Sequence, residues 1–201
     1  MERSARFISL SGWSGIWAGA VALAGSFIAN KWLNELPGNT NIYLETQAES
    51  SGGYNDIAAR FVTLAVIVLA VAIAGGVYFT WKKANKKRQK IWNAASKRML
   101  MHIAVPMLAG GIFSLLFLYN GHVMYIAPAC LVFYGLALIN GGKYTFSDIQ
   151  YLGYMELVLG VMTMLLPGYG LIFWAIGFGV LHIIYGVFMW NKYDKNTGSA
   201  A

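Results

Sequence analysis

Six apolar runs follow one another along this chain, at roughly residues 7–29, 57–81, 99–119, 123–140, 149–166 and 171–190. Each is about 18–25 residues long, the length a helix needs to cross the hydrocarbon layer of a bilayer. No run alternates apolar and polar residues with period two, which excludes an outer-membrane barrel. In lipid the backbone has to satisfy its own polar groups, so each run is expected to be helical. Together the runs fill most of the 201 residues and leave no room for a separate soluble domain. Only 11% of residues are charged, against about a quarter in a soluble domain. The 58% hydrophobic content excludes disorder. Cys130 has no partner cysteine, which excludes a disulfide scaffold. The expected fold is all-α: one polytopic domain over residues 1–201, with six transmembrane helices in three hairpins.

Charge sets the expected orientation. With the N-terminus inside, the inner segments hold Arg3, Arg6, Lys82, Lys83, Lys86, Lys87, Arg88, Lys90, Lys97, Arg98, Lys143, Lys192 and Lys195. That is 13 of the 15 Lys and Arg, leaving Lys31 and Arg60 outside. So strong a positive-inside bias is expected to put both termini in the cytoplasm. Most of the net charge of +7 lies in the linker 82–98. Its residues Lys82, Lys83, Lys86, Lys87, Arg88 and Lys90 are read as contacts to anionic lipid, not to nucleic acid. The linker has no Gly or Pro, so the flanking spans are expected to extend into it as helices. The outer loop 34–56 carries Pro37-Gly38 and Ser51-Gly52-Gly53 and is expected to be irregular. Ala22-Leu23-Ala24 resembles a signal-peptide cleavage site, but the apolar run is too long for a signal core, so a true span is expected.

Two short outer turns, Asn120-Gly121-His122 and Pro167-Gly168-Tyr169-Gly170, make antiparallel hairpins of spans three with four and five with six. These hairpins read as a degenerate parallel repeat. Gly160 stands 49 residues after Gly111, Lys192-Tyr193 stands 49 after Lys143-Tyr144, and Tyr185-Gly186 matches Tyr134-Gly135 after a two-residue insertion.

Small residues recur at helical spacing on four spans: Ser11, Gly15, Gly19, Ala22, Ser26 and Asn30; His102, Pro106, Gly110 and Ser114; Gly153, Glu156, Gly160 and Thr163; Ala175, Gly179, His182 and Gly186. Such stripes let helices approach closely in lipid. Glu156 is the single formal charge deep inside a span. A charge there costs about 2.5–3.5 kcal/mol on insertion scales, so it should turn inward and have a partner. Glu156 lies 12 residues before Gly168 and His182 lies 14 after it. In an antiparallel hairpin those positions share a depth, which predicts a Glu156–His182 contact, with Tyr185 one turn from the histidine. His102 and Asn30 are further polar candidates. No zinc spacing, haem motif, nucleophile elbow, P-loop or dinucleotide fingerprint is present in the sequence. Neither a catalytic residue, a metal nor a cofactor is therefore expected.

Two stretches carry a resemblance. The opening RFISLSGWSG, from Arg6 to Gly15, and LGVMTMLLPGYGLIFWAIGFGVLHIIY, from Leu159 to Tyr185, resemble a family of six-span inner-membrane proteins from Bacteroidetes with no assigned activity. The last hairpin also resembles the Gly/Pro-punctuated hairpins of the HdeD-like acid-resistance membrane proteins. That resemblance implies a stress role and transfers no functional residue.

The function expected from these features is that of a non-enzymatic accessory or sensing subunit, because no catalytic motif is present. Its partners would be the lipid bilayer and either a membrane protein or further copies of itself. The alternative is a small proton-coupled transporter or channel using Glu156 and His182. The two differ structurally: a transporter needs a polar cavity reaching the depth of Glu156, whereas an accessory subunit would have a sealed core.

Overall fold

The computed structural model describes residues 11–35, 52–86, 88 and 92–195. Arg3, Arg6, Lys87, Lys90, the start of the first span and most of the outer loop lie outside them. The described chain forms six long helices: α1 (Gly12–Glu35), α2 (Gly52–Lys86), α3 (Ala94–Tyr119), α4 (Val123–Gly142, opening with a 3-10 turn), α5 (Asp148–Leu165) and α6 (Gly170–Asp194). Five of them are long and apolar enough to cross a membrane. The exception is α5, an 18-residue helix that includes Asp148, Gln150 and Glu156.

Helix boundaries follow local chemistry. Asn93 caps α3 by accepting the Ser96 amide at 2.8 Å, while the Ser96 hydroxyl accepts the Asn93 amide at 2.9 Å. Both flanking spans extend into the linker as helices, α2 to Lys86 and α3 from Ala94, and Arg88 between them sits in a turn with φ 51°. At the other end of the linker's helix, α2 begins at Gly52, inside the segment expected to be irregular. The turn between α5 and α6 needs a glycine at Gly168, whose φ is +98°.

Packing follows the small-residue stripes, but it pairs them differently from the hairpin order. The two most extensive helix contacts are α4 with α5 and α1 with α6. At the first, Gly135 and Gly153 face each other: a methyl on either would sit 2.7 Å from the other's carbonyl oxygen. Helix α6 packs chiefly on α1, antiparallel, with Gly12, Gly15 and Gly19 against Gly186, His182 and Gly179. Thus α5 and α6 share a turn yet touch each other little, and each gives its glycine face to another helix. Helix α2 packs substantially on α1 alone, helped by the Trp17 indole, which donates to the Val71 carbonyl at 3.0 Å. Helix α3 packs substantially on α4 alone. The repeat-related glycines also differ in role. Gly111 faces open space, whereas Gly160 lies against Val132 and Leu131.

Val66, Ile67, Ile73 and Val77 of α2 and Val105, Leu108, Ile112 and Leu115 of α3 are all exposed. Water would not tolerate so broad an apolar surface; a bilayer does. The buried side chains of the bundle interior include polar ones: Ser26, Glu156, Thr163 and His182.

Candidate functional site

Helices α4, α5 and α6 meet at Glu156. Its side chain is completely buried (0% exposed), and His182 is 5% exposed. Oε1 of Glu156 lies 3.4 Å from Nδ1 of His182. The close approach depends on Gly177: a methyl there would collide with Glu156 Oε2 and come within 2.6 Å of Leu131. Residues 175–181 of α6 are wound as a π-helix, a wider turn that recurs at functional sites. One turn beyond Gly177, the histidine reaches back so that its Nδ1 donates to the Gly177 carbonyl at 3.0 Å. That carbonyl only accepts, so Nδ1 carries a proton. With the ring neutral, Nε2 is then the acceptor for the Tyr134 hydroxyl at 2.7 Å. Phe178 stacks beside the ring at 6.0 Å.

The two members of the pair are unequally held. His182 keeps the Gly177 carbonyl and the Tyr134 hydroxyl as hydrogen-bond partners. Neither carboxyl oxygen of Glu156 has a hydrogen-bond partner among the described residues. Buried polar groups are nearly always bonded, so such an exception calls for an explanation.

A partly open cavity of about 200 Å³ reaches His182. Tyr134, His182 and Tyr185 line it at the depth of the site, and Ser11 and Ser14 line it toward the basic end of the bundle. Glu156 does not line it; His182 stands between the carboxylate and the cavity. The rest of the lining is mainly apolar, from Ala18, Leu138, Ile149, Leu152 and Met189. Tyr185 does lie beside the histidine's cavity face, but its hydroxyl is buried without a hydrogen-bond partner. The tyrosine that bonds His182 is Tyr134, from a different helix.

The basic end is tied by charge. Asp194 at the end of α6 pairs with Lys83 of α2 at 2.7 Å. It also accepts the Gly12 amide at 3.0 Å, at the N-terminus of α1, where a carboxylate is favoured by the helix dipole. Asp148, at the start of α5, accepts from Lys192 at 2.9 Å and from the Tyr193 hydroxyl at 2.6 Å. Partial burial works against the Asp148 carboxylate, but Tyr193 and Lys192 outweigh it and hold the carboxyl below its ordinary range. A depressed carboxyl contributes stability above its unfolded value of about 3.9 and loses it as pH falls through the folded value. Asp148→Asn should therefore lower the melting temperature at neutral pH by about 1–3 °C, because the pair is partly solvated. Melts followed by circular dichroism should show the gap closing as the pH drops below about 4.

The remaining candidates are dispersed. His102 is exposed on α3 and stacks on Tyr144, whose hydroxyl is 2.8 Å from its Nε2. Asn30 is exposed at the far end of α1, although Ala22 and Ser26 of its stripe are buried. Lys82, Lys86 and Arg88 are exposed. Lys83 is 10% exposed at its side chain and paired with Asp194 at 2.7 Å. No group of three or more His, Cys, Asp or Glu suited to a metal ion occurs among the described residues.

No protein-family model, curated protein or solved structure matches this chain.

Proposed function

We propose that this chain is a small proton-coupled transporter or channel in which His182 and Glu156 carry the proton. The observation that supports it most is a fully buried carboxylate, without a hydrogen bond, beside a histidine that lines a cavity. A pair serving only to lock helix register would be expected to have its oxygens satisfied. The arrangement suits a relay. A proton arriving from the cavity side enters at Nε2, and Tyr134 turns from donating to accepting. The Nδ1 proton then has Glu156 Oε1 within 3.4 Å. Proton transfer neutralises a carboxylate whose charge is costly at this depth, and that change in charge is what would drive rearrangement. Leu131, fully buried, packs against Gly177 beside the carboxylate, so passage past it needs α6 to move there. The π-wound segment 175–181 is the natural place for that movement.

In this reading α5 is the sixth span, the basic end lies in the cytoplasm of a bacterial cell, and a second copy of the chain helps to enclose the path. The test is proton flux into proteoliposomes with a pH-sensitive dye inside and an imposed potential. The wild type should acidify the lumen, and Glu156→Gln and His182→Gln should each reduce the protein-dependent rate by about tenfold or more. Equal rates in the variants would remove the proposal. A conformational response to pH without flux would instead favour a sensing subunit.

A further inference from the structure

The cavity has a side that no helix seals among the described residues. Ala72 and Gly76 of α2 form one wall and Tyr134 and Leu138 of α4 another, yet these two helices share no substantial packing. Gly76 faces open space, with nothing within 4 Å of where a side chain would start. Its neighbour Gly75 is filled by the Trp17 indole, so the opening is confined to one position on α2. Beside Gly76 on α2, Ile73 and Val77 are exposed apolar side chains that belong against acyl chains. The gap therefore leads from the bilayer, past an apolar wall, to a small group of hydrogen-bonding side chains.

Of these, the Tyr185 hydroxyl has no hydrogen-bond partner among the described residues. A buried O–H left unbonded is a vacant donor and calls for an acceptor. His182 stands one helical turn away and can exchange a proton. At about 200 Å³ the space is smaller than the pockets of about 300–1,000 Å³ that take drug-sized ligands. It suits a small head and the first few carbons of a tail, not a phospholipid headgroup.

We propose that the cavity binds a lipid-soluble weak acid of medium chain length, entering sideways from the bilayer between α2 and α4 at Gly76, with its carboxyl group at Tyr185 and His182. The inference rests on the transport reading for its purpose, since it names that site's substrate class, but its test reads binding and not flux.

The experiment is photolabelling of the full chain in liposomes with a diazirine analogue of octanoic acid, followed by peptide mapping. Label should concentrate on the peptides carrying Gly76, Leu138 and Tyr185, and excess octanoic acid should displace it, whereas octane and acetate should not. Gly76→Leu, which has room for its side chain, should cut this labelling by about tenfold by filling the gap. Gly111→Leu, equally open but on α3, should leave it unchanged. Tyr185→Phe should weaken competition by octanoic acid by about threefold to tenfold. Label spread evenly over the lipid-facing sides of α2 and α3, or unaffected by Gly76→Leu, would overturn the proposal by showing annular lipid alone. Specific labelling in a protein that carries no protons would keep the ligand site and discard the proton reading. Proton flux without specific labelling would do the reverse.

Discussion

His182→Leu is expected to destabilise the protein by about 3 kcal/mol, whereas Glu156→Leu should cost less than about 1 kcal/mol and can even stabilise. The asymmetry comes from how the two side chains are held. Leucine at 182 strands the Glu156 carboxyl, which lies 3.4 Å from that histidine and whose oxygens make no hydrogen bond among the described residues. It also leaves the Tyr134 hydroxyl without its acceptor. Leucine at 156 leaves His182 with both the Gly177 carbonyl and the Tyr134 hydroxyl. The double variant should recover most of the loss, since two apolar side chains of similar volume replace the pair. Equilibrium unfolding in mixed micelles measures all three. Equal and small losses for the single variants would mean that the pair does not interact in the membrane.

The second large effect concerns the α1–α6 seam. A methyl at Gly186 would already lie 2.5 Å from the Ile16 amide nitrogen and 2.7 Å from the Gly12 carbonyl oxygen. These are backbone atoms, which cannot rotate aside, so Gly186→Leu should force the helices apart and cost about 3 kcal/mol or more. In lipid the loss is not offset by a hydrophobic drive to reassociate, because acyl chains solvate the parted faces equally well. Val180→Leu, on the exposed side of the same helix, should change stability by less than about 0.5 kcal/mol. Since α6 carries His182, parting it from α1 should also open the cavity wall formed by Gly15 and Gly186.

What could be read in the residues was whatever a helix's own geometry determines. The matched depth of Glu156 and His182 followed from counting rise from a shared turn, and the two side chains do face each other at 3.4 Å. The glycine stripes showed which face of each helix approaches a neighbour. They did not show which neighbour: the α5 face meets Gly135 of α4, and the α6 face meets Gly12 and Gly15 of α1. A stripe of small residues is the same surface whatever helix it receives. For that reason Tyr134 was missed as the partner of His182. The available signal was its alignment with Tyr185 in the repeat, and both tyrosines line the cavity. The Lys83–Asp194 pair was not legible either, because it depends on the distant end of the chain returning to α2.

The central claim is that Glu156 exchanges a proton with the surroundings through His182. Infrared difference spectroscopy of the protein in lipid tests it most directly, by following the carboxylic C=O stretch between about pH 5 and about pH 9. The account predicts a band that changes with pH, shifts in heavy water, is absent in Glu156→Gln and loses its pH response in His182→Leu. A Glu156 band indifferent to both pH and heavy water would show a sealed structural carboxyl and contradict it.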